Sequence, residues 1–217
     1  MLSNRTKISM LVKIRNRFPI EPWKAGSPFE TLIHTILSQN TNDRNSNAAM
    51  KKLRKRYKIF PYSLSRAKLK DLIPCIRSAG LYNSKGPRII EVSRIVQNEY
   101  DGSLNEILRL PYAEAKEKLV AMPGVGPKTA DIVLAFNARQ PVIPVDTHIS
   151  RVSKRLSIAP PNADYETIRI NLEALIPKRD RIRFHLSIIE FGRNICKAPR
   201  PKCVICPINR TCPSSQL

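Results

Sequence analysis

Four cysteines, Cys196, Cys203, Cys206 and Cys212, crowd the last 22 residues in the order C-x6-C-x2-C-x5-C. If they share one site, this part of the chain must turn repeatedly about a single point. Residues 1–17 carry Arg5, Lys7, Lys13, Arg15 and Arg17 and lack the apolar centre of a secretory signal. An intracellular, cytoplasmic protein is expected, and there structural disulfides are rare. The cysteines therefore read as a metal site. Four thiolates suit Zn2+ or an iron–sulfur cluster. Zinc ribbons usually pair two C-x2-C hooks, and here only Cys203 and Cys206 form one. Cys75, in Leu72-Ile-Pro-Cys-Ile76, reads as a small buried hydrophobe.

The rest of the chain carries helical periodicity. Ser27-Pro28-Phe29-Glu30 has a capping-box pattern with proline at the first helical position. Phe29, Leu32, Ile33, Ile36 and Leu37 follow as one apolar stripe. Further helices are expected near 6–17, 43–57, 65–73, 85–99, 111–121, 128–138, 147–156, 164–176 and 180–194. Period-two alternation is missing, and the apolar run Pro141-Val-Ile-Pro-Val145 holds two prolines that argue against a central strand. The expected fold is all-α. Segments 20–27 and 157–163 read as connectors. No apolar run approaches the length of a membrane span.

Lys and Arg number 38 against 17 Asp and Glu, a net charge of +21. So large an excess favours a polyanionic partner, nucleic acid first. The segment Met122-Pro-Gly-Val-Gly-Pro-Lys-Thr129 offers it a seat. It reads as helix, glycine turn, helix, with Gly124 and Gly126 flanking Val125 and the second helix opening near Lys128 and Thr129. Glycine permits positive φ and close approach of another chain. The free N–H groups of the second helix form an anion site. Phosphate bound there is held without regard to sequence. The bland reading is an ordinary helical hairpin.

Leu119-Val-Ala-Met-Pro-Gly-Val-Gly-Pro-Lys-Thr-Ala130, then Val145-Asp-Thr-His-Ile-Ser-Arg151, then the four cysteines, resemble the endonuclease III family of DNA glycosylases. Leu37-Ser-Gln-Asn-Thr-Asn-Asp43 and Gly80-Leu-Tyr-Asn-Ser-Lys85 resemble two further family segments, so the likeness runs from about residue 28 to 212. It implies a two-lobed helix-hairpin-helix glycosylase fold. Residues 27–138 would form a six-helix barrel ending in the hairpin. Residues 1–26 and 139–217 would form a discontinuous lobe carrying a [4Fe–4S] cluster on the loop 196–212. Lys128 and Asp146 would approach a cleft from opposite sides.

The resemblance makes Lys128 the nucleophile of a bifunctional glycosylase and abasic-site lyase in base excision repair. Its amine would displace an oxidised pyrimidine, form a Schiff base, and cut the strand by β-elimination. The amine must be neutral to attack. Partial burial, neighbouring cations and the positive end of the second helix would favour that form. The bland alternative is a lysine that pairs with phosphate. Asp146 would be the catalytic carboxylate, steadying positive charge on the sugar. It also reads as the N-cap of the helix beginning at Thr147, and the two roles are compatible.

An enzyme working on a base must flip it from the stack, and something must fill the gap. Gln39, Asn40 and Leu81 are the candidates implied by the resemblance. The usual bacterial glutamine aligns with Asn40, and Gln39 replaces a small residue, so which polar side chain enters the duplex stays open. The implied cofactor is [4Fe–4S], with Cys196, Cys203, Cys206 and Cys212 as its ligands. Lys197, Arg200 and Lys202 on the cluster loop would face phosphate. The implied partner is damaged double-stranded DNA in the nucleoid, met by a monomer and not at a membrane. One alternative is a mismatch-directed uracil or thymine glycosylase, against which Lys128 argues, since relatives of that kind carry tyrosine or serine there. Another, of a different class, is a non-catalytic helix-hairpin-helix DNA-binding protein. The cationic runs 51–58 and 178–183 read as solvated faces, and His34, His148 and His185 as structural.

Overall fold

The computed structural model describes residues 2–21 and 25–216, so part of the connector expected at 20–27, residues 22–24, lies outside the described residues. In chain order the α-helices are α1 (Asn4–Arg17), α2 (Pro28–Ser38), α3 (Asp43–Arg56), α4 (Pro61–Ser65), α5 (Leu69–Ile76), α6 (Tyr82–Glu99), α7 (Asn105–Arg109), α8 (Tyr112–Val120), α9 (Pro127–Asn137), α10 (Thr147–Arg155), α11 (Tyr165–Leu175) and α12 (Arg181–Asn194). Short 3-10 turns occupy Arg77–Ala79, Lys178–Asp180 and Cys203–Ile205. No strand occurs among the described residues, and the fold is all-α. No described helix is long and apolar enough to cross a membrane. The chain divides into two compact units, Ala25–Gln140 and Met1–Lys24 with Pro141–Leu217.

Local chemistry sets the helix starts. Side-chain oxygens of Ser3, Ser27, Asn42, Asp146 and Asp164 accept from a backbone N–H three residues on, each capping its helix. Ser27 does so at 3.2 Å from Glu30 N, with Pro28 at the first position. Glu30 turns instead to Arg54 on α3, at 2.8 Å.

The Ala25–Gln140 unit is built round α2. Its stripe Phe29, Leu32, Ile33, Ile36 and Leu37 is buried as expected, and the helix packs on α3, α6 and α9. The α8–α9 hairpin is cross-braced by Asp131, wholly buried, whose carboxylate accepts from Tyr112 Oη at 2.9 Å and Lys116 Nζ at 3.3 Å. The other unit draws Met10, Leu11 and Ile14 of α1 into one core with Ile149, Val152, Ile168, Leu172, Phe184, Ile188 and Phe191 of α10 to α12. Cys75, expected buried, is only half-buried, one face of α5 leaving it near the surface.

Candidate active site

The glycine turn has two differently used glycines. Gly124 sits at φ +80°, a conformation few other residues tolerate. A Cβ there would also press the Arg88 side chain at 2.8 Å. Gly126 has an ordinary φ of −91° and nothing within 4 Å of where a Cβ would stand. It N-caps α9 with no side-chain hydrogen bond to the first-turn N–H groups. Lys128 follows at the second helical position, half-buried. Val125 and Thr129 are buried, so their side chains belong to the fold and only their backbone is left to face a ligand.

The loop after α2 separates the two polar candidates. Gln39 donates from Nε2 to Gly124 O at 2.8 Å and to Thr129 Oγ1 at 3.2 Å, so its side chain is spent on the hairpin. Asn40 is exposed and lies in the left-handed region at φ +52°. Leu81, also left-handed at φ +47°, is 57% exposed and is no core residue. Behind both loops lies a residue whose role sequence reasoning missed, Lys85. It is 1% exposed, and its Nζ donates to Leu37 O, Gln39 O and Ala79 O at 2.8, 2.6 and 2.8 Å. Burial pulls its amine below the usual lysine range. The signal was there, since Lys85 falls on the stripe of Ile89, Val92 and Val96.

In the unit of residues 1–24 and 141–217, Asp146 caps α10, accepting from Ile149 N at Oδ1 over 2.7 Å. It lines an open surface pocket with Ser150, Arg151, Asp164 and Tyr165. The far end of α10 reaches the cysteine loop. Arg151 Nε donates to Cys196 O at 3.0 Å, and Arg155 donates to Lys197 O at 2.7 Å, Ala198 O at 2.9 Å and Cys196 Sγ at 3.3 Å. Cys196, Cys203, Cys206 and Cys212, all free thiols, line one cavity walled by Leu156, Phe191, Ile195 and Ile208. Burial pushes the Cys206 and Cys212 thiols up. Lys197, Arg200 and Lys202 stand exposed on the same loop, Arg200 at φ +53°. His185, buried, is held on Pro144 O and His148 against Arg151, both structural contacts.

Residues 33–178 match the HhH-GPD superfamily of base excision DNA repair proteins. Endonuclease III of Thermotoga maritima is 40% identical over 200 residues, covering 92% of this chain and 89% of that protein. The chain belongs to the endonuclease III family. Endonuclease III of Bacillus subtilis is 34% identical over 208 residues, covering 95% of this chain and 91% of its own. The backbone superposes on a trapped endonuclease III–DNA covalent intermediate with a TM-score of 0.89, at 32% identity and with 99% and 98% of the two chains covered. Endonuclease III likeness thus spans both compact units.

Proposed function

We propose that this chain is a bifunctional DNA glycosylase and abasic-site lyase of base excision repair, acting as a monomer on oxidised pyrimidines in duplex DNA. The observation that carries the reading is Lys128, half-buried in the uncapped first turn of α9 beside the Gly124 turn. The first-turn N–H groups hold a backbone phosphate, and the amine is fixed within reach of the adjoining sugar. The neutral amine attacks the anomeric carbon. A C–N bond forms, the glycosidic bond breaks, and the base leaves with a proton. Ring opening gives the Schiff base, whose acidified 2′ position loses a proton as the 3′ phosphate departs. Asp146 keeps one oxygen on its cap and steadies cationic character in the sugar with the other. Asn40 and Leu81 enter the emptied stack, and Gln39 does not. Gly124, Gly126, Lys197, Arg200 and Lys202 bear on phosphates.

The four cysteines fit a [4Fe–4S] cluster. Their thiols line one cavity, and four cysteine thiolates are the ligand set such a cluster takes. The four cysteines would hold the cluster as thiolates and be tied together by it, and the N–H of Arg155 at Cys196 Sγ is the outer contact such ligands need.

Borohydride trapping tests the reading on duplexes carrying thymine glycol, uracil opposite guanine, or an abasic site. An adduct on thymine glycol that vanishes in Lys128→Ala is expected. Trapping on uracil–guanine alone would move the substrate to mismatches. No adduct on any duplex, with cluster absorbance intact, would refute the lyase.

A further inference from the structure

We infer that Lys85 is a positioning residue for strand separation: its ammonium locks the two segments that carry Asn40 and Leu81 into one rigid wedge. The inference rests on the proposed function and deepens it.

An ammonium has three donors and no acceptor. In Lys85 all three are spent on backbone carbonyls, and among the described residues no carboxylate pairs with it. A buried cation without a counter-charge is an expensive device where the only need is to fill space, because leucine or methionine would do so at no penalty. Its position shows what the charge is for. The Gln39 carbonyl immediately precedes Asn40, and the Ala79 carbonyl lies two residues before Leu81. The backbone N–H of Lys85 donates to Leu81 O at 2.8 Å, so one residue grips the chain on both sides of Gly80. The Leu37 and Gln39 carbonyls end α2, where a cation also complements the helix dipole. Gln39 then carries the connection onward through its bonds to Gly124 and Thr129 in the hairpin.

Asn40 and Leu81 are both exposed and both left-handed; asparagine takes that conformation fairly readily, but leucine does so only when the surroundings enforce it. Neighbouring carbonyls fixed on one ammonium supply that enforcement. A wedge is useful only if it yields less than the base stack it opens. Lys85 touches neither DNA nor the reacting atoms. It acts through the two loops.

The test compares single-turnover excision of thymine glycol from a duplex with strand cleavage of a single-stranded oligonucleotide bearing an abasic site. A single strand has no stack to part. In Lys85→Met the duplex rate should fall by about a hundredfold, the scale of a small misplacement of catalytic parts, and the single-strand rate far less. Equal losses on both substrates, or no loss on the duplex, would overturn the inference. If Lys85→Met does not accumulate as folded protein, Lys85→Arg decides. Its planar fork matches three carbonyls around a tetrahedral ammonium poorly, so a duplex-selective loss is again expected and equal or absent losses overturn the claim. Wild-type protein that traps no adduct refutes the lyase reading itself. Wild type that traps, beside variants that lose both rates together, refutes only the role of Lys85.

Discussion

Asp146 caps α10, and the proposed mechanism gives the same carboxylate a second role at the sugar; substitution separates the two. Asparagine caps a helix about as well as aspartate. Asp146→Asn should therefore keep the bond to Ile149 N and leave the melting temperature nearly unchanged. Excision should still fall by about a hundredfold or more, the usual effect of losing one charge-stabilising or proton-handling group. Asp146→Ala should add a stability loss of about 1 kcal/mol from the missing cap. Thermal melts beside single-turnover rates read both effects. If Asp146→Asn were as active as wild type, the residue would be a cap and nothing else.

At the scale of the element, the hairpin makes the next separation. Gly124 holds a φ of +80°, which alanine tolerates poorly, whereas Gly126 has an ordinary φ and open space beside it. Gly124→Ala should destabilise the fold by about 1–2 kcal/mol, the penalty for a left-handed alanine, with Arg88 pushed aside. Gly126→Ala should shift urea unfolding less than Gly124→Ala does, because its Cβ meets nothing within 4 Å and only a weak cap preference is lost, and should weaken duplex binding by obstructing the approaching phosphate. Equal unfolding midpoints for the two variants would contradict this division.

Elements whose causes are local were legible in the sequence. Ser27 capping α2 and the buried stripe from Phe29 to Leu37 follow from spacing within two or three turns. Helices α4 and α7, five residues each, were missed because less than two turns shows no periodicity. The burial of Lys85 showed in its stripe, but its partners were hidden for another reason. Its partners are backbone carbonyls, which every residue possesses, and two of them lie 48 and 46 positions away. The choice between Gln39 and Asn40 was likewise undecidable until Gly124, 85 positions on, took the glutamine amide.

For the whole molecule, the cysteine loop is where chemistry and stability meet. Cys196, Cys206 and Cys212 pack against the core shared by α1, α10, α11 and α12. Cys206→Ser should abolish the visible iron–sulfur absorbance and lower stability by at least about 3 kcal/mol, or roughly 10 °C in a chain of this size. Colourless wild-type protein of unchanged stability after iron removal would show the loop to be self-supporting.

That same core is assembled from both ends of the chain. Ser187 Oγ on α12 donates to Phe18 O just past α1, across a separation of 169 residues, at 2.7 Å. Residues 25–140 are contiguous and have their partners to hand as they are made. Helix α1 does not. At about 5–20 residues per second of synthesis, Met10, Leu11 and Ile14 wait roughly 10 to 30 s on a growing polypeptide before α12 exists to cover them. Helix α1, made long before its cover, is among the last elements to find its place, and a nascent chain halted before residue 180 should still offer it to a protease.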